Sequence, residues 1–263
     1  MSSQTLPLAA LPLASAPAPQ RLPIVDIARG VAIAQMIAYH FCYDLNYFQW
    51  IHVALTRDAP WIAWRTMIVT QFLFLVGVSL SLRASDESRH TRRRTEFWKR
   101  WGQIALCAAL VSAASWWIFG QRFIWFGVLH FVAVAQLLLR DTPRWGRFNF
   151  ALGLLVLAMG TLLQFAIFDS NAISWMGFAP NKPRTEDFVP LFPWLGVVLL
   201  GIGAGDLWQQ SAAPWAQALR RYGGSGWHWI TVLGRWPLTV YMLHQPLLFG
   251  ALYAVHALGQ SLG

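Results

Sequence analysis

The chain predicts an all-α fold, a polytopic membrane bundle of about seven transmembrane helices, and three observations carry that reading. Hydrophobic residues make up 56% of the 263 positions and charged residues only 12%, whereas a soluble domain of this size carries about a quarter charged residues. Several apolar runs reach about 20 residues, the length a helix needs to cross the hydrocarbon of a bilayer. The basic residues, finally, are distributed unevenly between the connections.

The apolar runs place the spans at about 24–47, 61–82, 99–119, 123–140, 149–168, 189–206 and 237–256. The connection "RASDESRHTRRRTEFWKR" (83–100) holds seven of the 20 Lys and Arg residues, and the positive-inside rule puts it in the cytoplasm. Alternation then sets the amino terminus inside and the carboxyl terminus outside. The inner side collects Arg21, those seven, Arg140, Arg144, Arg147, Arg220, Arg221 and Arg235, fourteen in all. The outer side has five, Arg57, Arg65, Arg122, Lys182 and Arg184, while Arg29 lies within a span. The net charge of +9 is thus accounted for by topology and by attraction to anionic headgroups, with no nucleic-acid partner. Residues 1–20 are uncharged and rich in Ala, Pro and Ser; without a basic n-region, and with Pro7 and Pro12 in the apolar part, they read as a disordered tail rather than a signal peptide. Residues 21–263 read as one transmembrane domain. The Trp-containing stretch 207–227, with paired arginines, is expected along the inner surface.

Cys42 falls near the outer end of the first span and Cys107 inside the third, so no disulfide is expected. No Cys/His cluster has the spacing of zinc ligands.

The first span carries the chemistry. With Arg29 set to zero and about 100° per residue, His40 falls at about 20°, Tyr47 at about 0°, Tyr43 at about −40°, and Asp26 and Asp44 both at about 60°. The opposite face holds Ile27, Val31, Ala34, Ala38, Phe41 and Leu45. One helix therefore combines a lipid face with a polar stripe running from Asp26 and Arg29 at the inner mouth to His40 and Asp44 toward the outer face. Arg29 and His40 are about 16 Å apart along the axis. Asp26 and Arg29 are spaced to pair. Asp44, one turn after His40, is placed to fix its tautomer and raise its basicity. Ionisable groups at this depth face a cavity or a partner; a network that only packs helices is the alternative reading. His130 and His244, with Gln245 before Pro246, are read as mid-span, and for either histidine interhelical hydrogen bonding stands beside catalysis. Gly201 and Gly205 suggest close helix packing, with ligand admission as the alternative.

The segments "VDIARGVAIAQMIAYHFCYDL", "QFLFLVGVSLSLR", "FGVLHFVAVAQLL", "PWLGVVLLGIGAG" and "LGRWPLTVYMLHQP" resemble, in that order, the bacterial membrane family related to the catalytic region of heparan-α-glucosaminide N-acetyltransferase. Arg29 and His40 also resemble the Arg-x10-His signature of the wider transmembrane acyltransferases that modify envelope sugars. The resemblance implies a multi-pass enzyme of the bacterial inner membrane that moves an acetyl or other acyl group from cytoplasmic acyl-CoA to an amine or hydroxyl at the outer face. Acyl-CoA would be a co-substrate and no cofactor would be tightly bound. Arg29, with Asp26 and Arg235, would hold the donor; His40 would be the general base oriented by Asp44; His130, His244, Gln245 and Tyr43 would touch or support the substrate. The outer loop 169–188, with Trp175, Lys182 and Arg184, is offered to a glycan or amino-sugar acceptor, or is mere connection. Direct transfer and an acyl-His40 intermediate are both open, and so is a homodimer. A transporter or proton pathway would also use a polar stripe, but paired broken helices in internal repeats are not found. A b-type cytochrome would use His40, His130 and His244 as axial ligands.

Overall fold

The structure is a computed structural model that describes residues 22–84, 90–224 and 226–262. The expected tail 1–20, Arg21 and the middle of the basic connection lie outside the described residues. Nine α-helices are described: α1 (Pro23–Tyr47), α2 (Ala59–Ala84), α3 (His90–Phe119), α4 (Val128–Leu138), α5 (Phe148–Leu162), α6 (Leu191–Gln210), α7 (Pro214–Arg221), α8 (His228–Arg235) and α9 (Pro237–Leu262). Pro23, Pro214 and Pro237 open three of them, where a missing N–H costs nothing and φ is already helical. Among the described residues there is no strand, only an isolated parallel bridge between Phe126 and Phe188.

Five helices, α1, α2, α3, α6 and α9, are long and apolar enough to cross a membrane. The spans expected at 123–140 and 149–168 form shorter helices, 11 residues in α4 and 15 in α5. At 1.5 Å per residue neither reaches the roughly 30 Å of a bilayer core. The reason is visible at their ends. Residues 123–127 are held extended by the segment 185–189, and residues after Leu162 leave the helix, so apolarity continues where helical hydrogen bonding does not. The non-helical backbone at 123–127 is covered by protein, which is how it is tolerated at membrane depth, whereas residues 163–167 are exposed.

The helix directions alternate as the seven-segment reading requires. Gln35 and Arg29 of α1 bond Gln71 and Ser79 of α2, so α1 and α2 are antiparallel. Gly77 meets Val198 and Gly205 meets Ser81, so α2 and α6 are parallel. Gly153 and Gly160 meet Gly196 and Pro193, which sets α5 against α6. In α9, His244 and Phe249 meet His40 and Phe48, so α9 is parallel to α1.

Two cores result. The larger gathers Leu73, Phe131, Val198, Leu199 and Ile202 from α2, α4 and α6; the smaller packs Ile33, Met36 and Tyr39 of α1 on Ile68 of α2. Helices in lipid gain little from burying apolar surface, so close backbone approach at small residues replaces it. Gly77 and Gly201 lie on the facing backbones of α2 and α6, where a Cβ on either would collide with Val198 or Phe74 carbonyl oxygen. The expected packing role of Gly201 and Gly205 is what the structure has. Within the stretch 207–227, residues 207–210 end α6 and 214–221 form a short helix, and Arg220 is turned inward to donate to the carbonyls of Trp208 and Ser211 at the α6 terminus. Cys42 and Cys107 are free.

Gly77→Ala is expected to destabilise the bundle by about 1–3 kcal/mol through overpacking. Gly102→Ala on α3, with nothing within 4 Å of the added carbon, is expected to stabilise it by about 0.5–1 kcal/mol. Thermal unfolding of the two detergent-purified variants checks the opposite signs.

Candidate functional site

On the face of α1 that carries Arg29 and His40 the polar residues form two clusters rather than one continuous stripe; on another face Gln35 donates to Gln71 of α2 at 2.9 Å. At the first turn, Arg29 Nη1 donates to Asp26 Oδ1 at 2.8 Å and Nη2 to Ser79 Oγ of α2 at 2.6 Å. Arg83 stands close enough to both Arg29 and Arg100 for its charge to interact with theirs, so this end is strongly cationic. Arg235 is at the same end but lines a different, shallow cavity of about 200 Å³ with Pro23, Gly224 and His228. Its neighbour Gly234 packs directly on the Asp26 carbonyl, and Gly30 packs on that of Ile230.

Between the clusters α1 turns apolar residues inward. Ile33 is fully buried and Met36 nearly so, and Phe72, Leu233 and Val240 close around them. This collar interrupts the polar stripe expected from the helical wheel. The wheel also set Ile27 on the lipid face, yet it is buried, because the chain before α8 folds over it at Gly224.

At the far end of α1, the imidazoles of His40 and His244 meet with ring centres 4.9 Å apart and planes at 64°. Asp44 is 1% exposed, and its Oδ1 accepts from Gln245 Nε2 at 2.7 Å. The expected His40–Asp44 contact is therefore replaced by one across helices: the amide of Gln245 on α9 reaches the carboxylate, and Asp44 Oδ2 is left without a partner. His244, 8% exposed, places Nδ1 2.7 Å from the Tyr241 carbonyl one turn back. A carbonyl only accepts, so the proton is on Nδ1 and Nε2 carries the lone pair. That nitrogen is buried and unpartnered, as is Gln245 Oε1. Three bare acceptors thus lie among the residues that α1 and α9 bring together, a set suited to a ligand that donates protons.

His130 is not mid-span. It is the third residue of α4, with Nδ1 accepting from Gly127 N–H at 3.3 Å and Nε2 bonded to Ser112 Oγ at 3.0 Å. Both ring nitrogens are engaged in fastening the start of α4 to α3.

Two carboxylates that the helical pattern could not reveal, Glu186 and Asp187, complete this end. Tyr43 Oη donates to Glu186 Oε2 at 3.3 Å, and Arg122 pairs with Oε1 at 3.3 Å. Asp187 Oδ2 accepts from Val128 N–H at 2.9 Å, capping α4. Thr185 Oγ1 donates to the Phe123 carbonyl at 2.6 Å, and Val189 N–H to that of Phe126 at 3.2 Å. The segment 185–189 is therefore a laced strap rather than a free connection. Burial pushes the Asp187 carboxyl above its ordinary range, against the smaller pull of the Val128 N–H and Lys182. Burial and Arg65 push the Lys182 ammonium down. Trp175 is packed on Phe126 with its indole N–H given to the Ala172 carbonyl, so it belongs to the loop's own core. The adjacency of two acids in an outer loop was the available signal for Glu186 and Asp187.

Gln245→Leu is expected to cost about 1.5–3 kcal/mol, because it strips the buried Asp44 carboxylate of its donor. Gln245→Leu combined with Asp44→Leu is expected to recover part of that loss, as the uncompensated polar group goes too. Thermal unfolding of the two variants reads the difference.

A family model described as "Heparan-alpha-glucosaminide N-acetyltransferase, catalytic" matches residues 21–246, a range that contains both clusters, the collar and the strap. No curated protein and no solved structure matches. The matched range covers most of the chain, and the membrane-length helices agree with it: the protein belongs to the heparan-α-glucosaminide N-acetyltransferase catalytic family and is, in that general sense, a transmembrane acetyltransferase.

Proposed function

We propose that the chain transfers an acetyl group, or a related acyl group, from cytoplasmic acyl-CoA to an amine or hydroxyl of a sugar-like acceptor at the outer face of a bacterial inner membrane. The observation that carries this reading is the division of α1, with a cationic cluster around Arg29 at one end and the His40–His244 pair at the other. A thioester donor presents phosphates that need planar, permanently charged guanidinium groups, and Arg29, Arg83 and Arg100 supply them. The acceptor needs a group that takes its proton as the new bond forms, and an imidazole is suited to that at neutral pH.

In the proposed reaction the acceptor nitrogen or oxygen attacks the thioester carbonyl directly. His40 takes the acceptor's proton, the carbon–sulfur bond breaks, and the proton passes to the leaving CoA thiolate. The acyl-bearing arm reaches His40 along α1 by displacing Met36, an unbranched and adaptable side chain, within the collar. A solute or proton pathway along the Arg29–His40 face of α1 would instead need polar groups through the middle of that face, where Ile33 and Met36 are packed. The acceptor enters past Glu186, Lys182 and Tyr43 at the strap.

Three measurements test this. His40→Ala is expected to lower turnover of acetyl-CoA by about 10² to 10⁴ while CoA affinity is retained; near-normal turnover would remove His40 from the mechanism. Arg29→Ala is expected to weaken CoA binding by about 1.5–3 kcal/mol, read by titration calorimetry; an unchanged affinity leaves Arg29 as the structural partner of Asp26. Orientation is tested on a background without Cys42 and Cys107. A cysteine at position 99 should resist an impermeant thiol reagent added outside, and one at position 182 should react.

A further inference from the structure

We infer that His244 is a positioning residue for His40: its bare Nε2 accepts the second ring N–H of His40 and so holds that imidazole in the tautomer that receives the acceptor's proton. The inference rests on the acyl-transfer reading of the site but concerns a different residue and a different contact.

The geometry points to this pair in three steps. The Tyr241 carbonyl 2.7 Å from Nδ1 leaves no choice of tautomer, so His244 offers a lone pair and no proton at Nε2. Second, that lone pair belongs to a residue 8% exposed and has no partner among the described residues. A buried acceptor left bare costs about 1–3 kcal/mol. Third, His40 is the ring beside it. An N–H to N hydrogen bond of about 2.9 Å between two five-membered rings sets their centres roughly 5 Å apart, and the observed separation is 4.9 Å.

The consequence is a chain of three groups. The Tyr241 carbonyl fixes His244, His244 fixes His40, and His40 meets the acceptor. The acceptor's N–H or O–H bond breaks as its lone pair attacks the thioester, and the proton goes to the free nitrogen of His40. The imidazolium so formed keeps its other N–H on His244 Nε2, which shares the positive charge without taking a second proton. His40 then returns the proton to the CoA thiolate, and both rings end as they began. Asp44 would fill this orienting role in the simpler arrangement; here its Oδ1 is held by Gln245, and a neutral imidazole serves in its place.

The test uses the full chain in detergent, labelled with ¹⁵N-histidine, so that its first readout does not depend on activity. His244, assigned by loss of its signals in His244→Gln, is expected as the Nδ1–H tautomer, the minor form of free histidine, and its Nε2 resonance is expected to move in His40→Gln. An Nε2–H tautomer, or a His244 signal indifferent to His40, would overturn the inference whatever the enzyme does. The second readout is turnover with acetyl-CoA and glucosamine. His244→Ala is expected to lose about 10²-fold in kcat with KM for acetyl-CoA unchanged, and added imidazole is expected to restore part of the loss by occupying the vacated position. A loss that imidazole does not touch, accompanied by a raised KM, marks His244 as a packing residue only. Absence of turnover in the unsubstituted chain counts against the acyl-transfer reading, while the nitrogen spectra still decide the pairing.

Discussion

The arrangement of the site depends on the crossing of α1 and α8, where backbone lies directly on backbone. Gly30 sits against the Ile230 carbonyl and Gly234 against that of Asp26. No side chain larger than hydrogen fits at either point, so the two helices approach as closely as helices can. Two residues later α9 begins at Pro237, and its direction is inherited from that crossing. Because α9 then runs parallel to α1, residues at matching heights meet: Val240 and Tyr241 against the Ile33–Met36–Tyr39 cluster, His244 beside His40, Gln245 beside Asp44, Phe249 beside Phe48. The histidine pair is a product of helix packing near the opposite end of the molecule.

His130 has both ring nitrogens engaged, between Gly127 and Ser112. Around His40 the acceptors of Asp44, His244 and Gln245 are each left one short. In an apolar surrounding an unmet acceptor is costly; among the described residues Asn149 Oδ1 and Ser174 Oγ are bare as well, so three of five such atoms lie on α1 and α9.

The strap 185–189 joins the two halves of the molecule at this end. It caps α4 through Asp187 and touches α1 through Glu186 and Tyr43, so the α3–α4 pair and α1 are tied through one short segment. Charges at the strap interact with Arg122, Lys182 and Arg65, which gives this end of the molecule both signs within a small area.

Much of the molecule was legible in the sequence because the bilayer imposes simple rules. Hydropathy and charge bias determined the helical class and the alternation of helix directions, since apolar length and basic loops are read one segment at a time. The spacing of Arg29 and His40, together with the ordered motifs, was enough to identify the family. Local spacing also placed Asp26 beside Arg29, because an i,i+3 pair needs nothing but its own helix. What tertiary structure alone decided is everything that requires two helices. It took Asp44 from His40 and gave it to Gln245, 201 residues away. It set His244 against His40, shortened α4 by pairing 123–127 with the strap, and brought Glu186 and Asp187 to the site from a loop with no periodicity to read. A helical wheel gives the direction in which a side chain leaves its axis; only the packed neighbours determine what it meets there.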